Sequence, residues 1–303
     1  MNEIIEATYI NPLTDFGFKL LFSEEKNKAF LIDFLNEVIE EEGCITDIEY
    51  QPTFQLGNAA QHRKAVFDIF CRNEKGEYFI VEMQKAKQPY FVDRSLFYST
   101  FPVQKQAPQG VWNFQLKAVY TVALLDFVLF EEAEDENYCI ERIYLMRDRT
   151  KTRYSKKLNF IFVELPKFKK PVEALETNVD RWLFCLKNLS RLNSRPMEVQ
   201  GRIFEKLFKA AEIKKLTATD METYNKSILE YQDVRDAVDY AREETFEKAF
   251  KKGIEEGIEK GIEKGINQKS FEIARKCFQK GMLLEEVAEL IDLDAEQLKE
   301  LFK

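Results

Sequence analysis

Lys64-Ala-Val-Phe-Asp68-Ile-Phe-Cys-Arg-Asn73-Glu-Lys-Gly76-Glu-Tyr-Phe-Ile-Val-Glu82-Met-Gln84-Lys85 reads as two strands joined by a tight turn. Asn73-Glu74-Lys75-Gly76 has Asn in the first place and Gly in the last place of a type I turn. Closed by a left-handed Gly, that turn makes a three-residue hairpin loop over 74–76. Asn73 then pairs with Glu77, and counting outward sets Asp68 opposite Glu82. Side chains alternate along a strand, so Gln84 shares their face. Like charges opposed across a ladder repel. Val66, Phe70 and Ile80 surround these two with apolar neighbours. A half-buried carboxylate pair costs several kcal/mol, roughly, unless a cation or proton neutralises it. Magnesium suits such oxygen ligands and keeps waters for chemistry, where it can activate a water and stabilise a phosphorane-like transition state. The alternative is a pair of solvent-facing acids on an edge hairpin, and a two-residue turn would put them on opposite faces.

Outward from the hairpin, Asn11-Pro12-Leu13-Thr14 leads into a short helix over Asp15–Phe22, and Ser23-Glu24-Glu25 reads as the N-cap of the next. Phe30, Leu31, Phe34, Leu35 and Val38 follow the helical period. Strands are predicted at about 45–56, 64–73, 77–86, 116–127, 138–148 and 158–165, and a helix at 90–107. Beyond Pro166 and Pro171 the segments 172–190, 197–214 and 219–250 read as helices. The fold class is α/β: a mixed sheet flanked by helices, then an α-helical C-terminal region. The expected division is 1–170, a helical domain at 171–250, a Gly/Ile/Glu/Lys repeat helix at 251–269 and a small helical tail at 270–303.

The single histidine, His62, leaves no multi-His metal centre and little room for a Ser-His-Asp triad. The five cysteines show no paired spacing and read as small core residues. No apolar run is long enough to cross a bilayer, and MNEIIEATYI lacks a secretory signal's basic start and apolar stretch. The expectation is a soluble, cytoplasmic protein with no membrane partner.

The strand–hairpin–strand layout carrying Asp68 and Glu82-Met83-Gln84 resembles the PD-(D/E)XK nuclease superfamily. Asn11-Pro-Leu-Thr-Asp15-Phe-Gly-Phe-Lys19, Phe67-Asp68-Ile, Val81-Glu82-Met-Gln84 and the Gly-rich repeat together resemble the Rpn recombination-promoting nuclease/transposase family. That resemblance implies a restriction-endonuclease-like core hydrolysing DNA phosphodiesters with Mg2+, in recombination or mobile-element biology. It makes Asp68 and Glu82 metal ligands, Gln84 a catalytic partner and Asp15 an auxiliary ligand. Gln84 stands where the wider superfamily has Lys, and Phe67 where it has Pro. Lys64 and Lys19 are then the candidate cations for the phosphate. The alternative function is a nuclease-fold module that binds DNA or protein without cutting.

A net charge of −8 is the wrong sign for a generic DNA binder, so distribution matters. Residues 142–170 hold ten bases against Asp148 and Glu164, interleaved with Tyr144, Tyr154 and Phe160. Such a segment either tracks phosphates or forms a solvated strand face. Gly253, Gly257, Gly261 and Gly265, each followed by Ile, weaken a helix by roughly 1 kcal/mol apiece; the stretch reads either as a marginal, solvated spacer helix or as a close-contact surface for a homo-oligomer through the C-terminal region. The tail has a helix-turn-helix outline. Its seven acids over 282–303, against Lys299 and Lys303, suit packing rather than groove reading.

Overall fold

In the computed structural model, residues 7–40, 44–55, 65–107, 110, 112–131 and 138–291 are described. The N-terminal motif builds its own helix start. Asn11 Oδ1 accepts the Leu13 N–H at 2.9 Å, and the Thr14 hydroxyl caps α1 (Asp15–Phe22) by accepting the Gly17 N–H at 3.0 Å. A Cβ on Gly17 would stand 2.1 Å from the Asn11 carbonyl oxygen, so only glycine lets the loop fold back this closely. Ser23 closes α1 instead of opening the next helix. Its hydroxyl donates to the Lys19 carbonyl at 2.7 Å, satisfying a carbonyl that the helix end leaves free. A 3₁₀ turn intervenes before α2 (Lys28–Ile39).

The strands follow as β1 (Ile48–Tyr50), β2 (Phe54–Gln55), β3 (Ala65–Val66), β4 (Ile69–Asn73) and β5 (Tyr78–Gln84). After α3 (Phe91–Lys105) come β6 (Val119–Leu125), β7 (Ile140–Arg147) and β8 (Thr152–Glu164). Six of them form one mixed sheet in the order β1-β4-β5-β6-β8-β7, with β5, β6 and β8 parallel. The strands expected at 45–56 and 64–73 are each broken in two, and β2 pairs with β3 outside the main sheet. The second break is a bend at Asp68. It lets Phe67 and Phe70 pack into one apolar cluster, which strict alternation forbids.

Beyond the sheet the described residues form four α-helices: α4 (Asn178–Asn188), α5 (Arg202–Ala210), α6 (Ala218–Gln279) and α7 (Leu284–Leu290). One sheet face, through Cys71, Phe79, Val81, Tyr120 and Val122, packs in the same cluster as Phe22, Phe34, Trp182 and Phe204 from α1, α2, α4 and α5. Trp182 is fully buried among those three Phe rings, and its indole N–H donates to Asp33 Oδ1 at 2.6 Å. Each such ring pair adds about 0.5–1.5 kcal/mol beyond area burial. The expected boundary at 170 therefore crosses a shared core. The described residues fall into two compact units, one running to Asp236 and one from Ala237. α6 continues through the whole glycine repeat, where the reading expected a 219–250 helix, a separate repeat and short tail helices. Ala274 near its end packs with Val287 and Ala288 of α7. The tail acids from Asp292 onward, with Lys299 and Lys303, lie outside the described residues.

No disulfide joins any of the five cysteines, all of which are among the described residues. Cys71 and Cys185 are buried, and burial pushes the Cys71 thiol up to about 12; Cys44 is exposed, against expectation. No helix among the described residues is long and apolar enough to cross a membrane.

Candidate metal site at the hairpin end

The hairpin forms in the register that its turn dictates. Gly76 sits at φ +81 and donates to the Asn73 carbonyl at 3.0 Å, while Asn73 Oδ1 accepts the N–H groups of Lys75 and Glu77. Pairing runs from Arg72↔Tyr78 to Ile69↔Val81. One step further from the turn the count would set Asp68 against Glu82, but the ladder ends at Ile69↔Val81. Asp68 does not continue the strand. Its Oδ2 accepts the backbone N–H of Met83 at 2.8 Å, capping β5 from the side.

Alternation along β5 sends Phe79, Val81 and Met83 to the large core, and Tyr78 and Ile80 to the face covered by α3. Glu82 and Gln84 follow the second set. Glu82 is 7% exposed. Its Oε2 accepts from Gln84 Nε2 at 3.2 Å, whereas its Oε1 is buried without a hydrogen-bond partner. Val66, expected to help enclose Asp68, is exposed; the bend turns β3 away from the main sheet.

Burial pushes Glu82 up to about 8, the Asp68 charge pushes the same way, and Arg94, the Asp68 backbone N–H and the Gln84 amide only partly offset them. Asp68 is also raised, first by burial and further by Asp15, against the Met83 hydrogen bond and the charges of Lys19 and Arg94. The site thus holds two desolvated, mutually repelling carboxyls and an orphan oxygen. A hard divalent cation fits that donor set: it would take up the free Oε1 and remove the like-charge repulsion.

Asp15 stands at the first turn of α1 and pairs with its neighbour Lys19 at 2.8 Å, both about half exposed. Its charge is felt at Asp68. Among the described residues no group of three or more His, Cys, Asp and Glu side chains is gathered closely enough to hold a metal, so Asp15 is not drawn into one cluster with Asp68 and Glu82. Lys64 and His62 lie outside the described residues. Cavities of about 360 and 550 Å3 lie elsewhere, one lined by Lys75, Phe79 and Tyr120, the other by Cys139, Arg142 and Asp180.

Two neighbours escaped the sequence reading. Arg94 of α3 donates to Gln84 Oε1 at 2.7 Å and to Gln88 Oε1 at 2.5 Å. Asp126, just past β6, donates its backbone N–H to the Gln84 carbonyl and accepts the Tyr231 hydroxyl of α6 at 2.7 Å. Only spatial placement of α3 and α6 could have found them. Much of the basic segment, its residues 147–157, lies towards the other end of the sheet. Leu158 pairs with Val119, which pairs with Tyr78, so β8 residues 152–157 run on past the end opposite Gln84. Several of its cations are also engaged: Arg142 with Glu40, Lys151 with Asp148, Lys167 with Glu164 and Lys170 with Asp180.

A family model described as PD-(D/E)XK nuclease family transposase matches residues 12–241, which takes in α1, the whole sheet and the first part of α6. No curated protein and no solved structure matches the chain.

Proposed function

The chain belongs to the PD-(D/E)XK nuclease family transposases, and on that premise we propose that it is a magnesium-dependent DNA endonuclease acting through Asp68, Glu82 and Gln84. The observation that carries this reading is the buried, partnerless Oε1 of Glu82 beside a second desolvated carboxyl. Asp68 and Glu82 would hold the ion, with Asp68 fixed in direction by the Met83 N–H. Asp15 would be an auxiliary oxygen donor: an exposed ion pair such as Asp15–Lys19 is worth only about 0–1 kcal/mol and can be given up. When bound, the ion would lower the pKa of a coordinated water and neutralise charge growing on the phosphate oxygens. Gln84 can neither carry charge nor act as a base. Its amide instead joins Glu82 to Arg94, and orients the water or a phosphate oxygen. DNA recombination or mobile-element movement is the proposed setting, and the cytoplasm its place.

The test is nicking of supercoiled plasmid by wild type, Asp68→Ala and Glu82→Ala, with Mg2+ or with EDTA. Cutting by the wild type alone, and only with metal, supports the reading; equal cutting by all three rejects the site. Gln84 in a lysine's place favours a second reading, a module that binds DNA without cutting, and plasmid retention without nicking by the wild type would support it. For the C-terminal region we propose association between copies, because Ile254, Ile258, Ile262 and Ile266 form an exposed ridge beside the glycines.

A further inference from the structure

Phosphodiester hydrolysis builds negative charge on the phosphate oxygens, and a fixed cation aimed at that charge is worth more in a desolvated site than in water. The cations near the hairpin end are not equally free to serve. Lys19 is held by Asp15 at 2.8 Å, and Lys87 by Glu131 at 2.6 Å. Arg94 differs: its two hydrogen bonds go to neutral amide oxygens, of Gln84 and Gln88, and among the described residues no carboxylate salt bridge neutralises it. Its charge nevertheless acts on both Asp68 and Glu82.

The fold fixes where this guanidinium stands. Phe91 anchors the first turn of α3 by packing on Phe162 and Phe127, and the buried Ser95 and Ser99 allow the helix to lie close to the sheet. Arg94, on the flank of that face, is only partly buried. The Phe91 and Tyr98 rings bracket its guanidinium at 5.5 and 6.0 Å, a contact that holds a cation without neutralising it. A guanidinium has five N–H donors in a planar fork, so the two bonds seen leave three for other acceptors.

We propose that Arg94 is the phosphate-binding cation of this site, delivered from α3 across Gln84. The inference rests on the nuclease reading and deepens it by naming the group that contacts the scissile phosphate. Gln84 then has a positioning role: it ties the Arg94 fork to Glu82 through the two ends of one amide. A lysine at 84 and a free Arg94 would crowd two cations into one place, so the Gln84–Arg94 pair replaces a strand-borne cation with a helix-borne one.

The test compares wild type, Arg94→Ala, Arg94→Lys, Asp68→Ala and the double variant Gln84→Lys/Arg94→Ala, with thermal melting as a check of folding. Two readouts are used: plasmid nicking with Mg2+, and fluorescence-anisotropy binding of a labelled 20-base-pair duplex without metal. Arg94→Ala is expected to slow nicking by about 100-fold and to weaken duplex binding by about threefold to tenfold. Arg94→Lys should keep a measurable part of both. The double variant should regain about tenfold or more of the lost nicking, because it returns a cation to the strand. Nicking by Arg94→Ala within threefold of wild type, with Asp68→Ala inactive, overturns the Arg94 role and leaves the nuclease reading standing. Unchanged duplex affinity in Arg94→Ala also overturns it. A wild type that nicks nothing removes the nuclease reading and this inference together.

Discussion

The carboxylate of Asp68 accepts the backbone N–H of Met83 at 2.8 Å, so the acid that ends one strand is anchored on the strand that carries its partner, Glu82. The anchoring aims one acid at the other at the cost of placing two desolvated carboxyls together. Relief of that cost is measurable without any substrate. Glu82→Gln should raise the stability of the metal-free protein at pH 8 by about 1–2 kcal/mol while abolishing stabilisation by added Mg2+. Urea unfolding of both proteins, with and without Mg2+, reads both effects.

The same pair sets a pH dependence of known sign. Glu82 is raised from its ordinary 4.5 to about 8, so the folded state binds more protons than the unfolded state between those values. Its contribution is therefore fully present below about pH 4.5 and is lost as pH rises through about 8. The melting temperature of the metal-free wild type should decline over that window more steeply than that of Glu82→Gln. Saturating Mg2+ should reverse the difference at the alkaline end, because binding to the folded state alone stabilises it.

Glu164 at the end of β8 is fully buried, pairs with the buried Lys167 at 2.5 Å and accepts the backbone N–H groups of Leu129 and Phe130. Lys167→Met would leave an unpaired buried charge and should cost about 3–5 kcal/mol. Glu164→Gln/Lys167→Met should recover a large part of that loss. A double-mutant cycle by urea unfolding gives the coupling; additivity of the two single effects would contradict it.

Asp180 completes the capping box of α4 with Thr177 and accepts Lys170 Nζ at 2.9 Å. Burial pushes its carboxyl up, but the Lys170 bond and the N–H groups of Thr177 and Glu176 outweigh it and hold the group below its ordinary 3.8. This contribution is present above about pH 4 and is lost as pH falls through the lowered value. Asp180→Ala should cost about 1–2 kcal/mol at pH 7, shrinking toward pH 3 in a series of urea titrations.

The hairpin could be read from sequence because one short-range rule, an Asn-first and Gly-last turn, fixes a register that then propagates by counting. Residues 69–81 obey it throughout. The bend at Asp68 was not legible, because it arises from burial of Phe67 with Phe70 on the α3 face, a tertiary demand that overrides strand alternation. Ser23 misled because a hydroxyl followed by acids opens a helix as readily as it ends one, and the Lys19 carbonyl decided. The helices beyond 170 looked like another domain by composition alone. Trp182 and Phe204 instead fill the core of the sheet domain, a long-range contact that no local pattern encodes. Arg94 was not legible as a site residue, since nothing local ties residue 94 to residue 84.

In the glycine repeat, an added Cβ meets nothing within 4 Å at Gly253, Gly257, Gly261 or Gly265. Gly→Ala at two of these should raise helix stability by about 1 kcal/mol each, seen as higher far-UV ellipticity on heating. If the neighbouring ridge joins copies as proposed, Ile258→Glu/Ile262→Glu should lower the mass found by gel filtration with light scattering. An unchanged mass would remove the association role.

Calorimetric titration of Mg2+ into wild type, Asp68→Asn and Glu82→Gln at pH 8 tests the shared-ion claim most directly. One saturable site in the wild type, with binding abolished in both variants, is the expected result. Binding of equal strength in all three proteins, or none in the wild type, would contradict it.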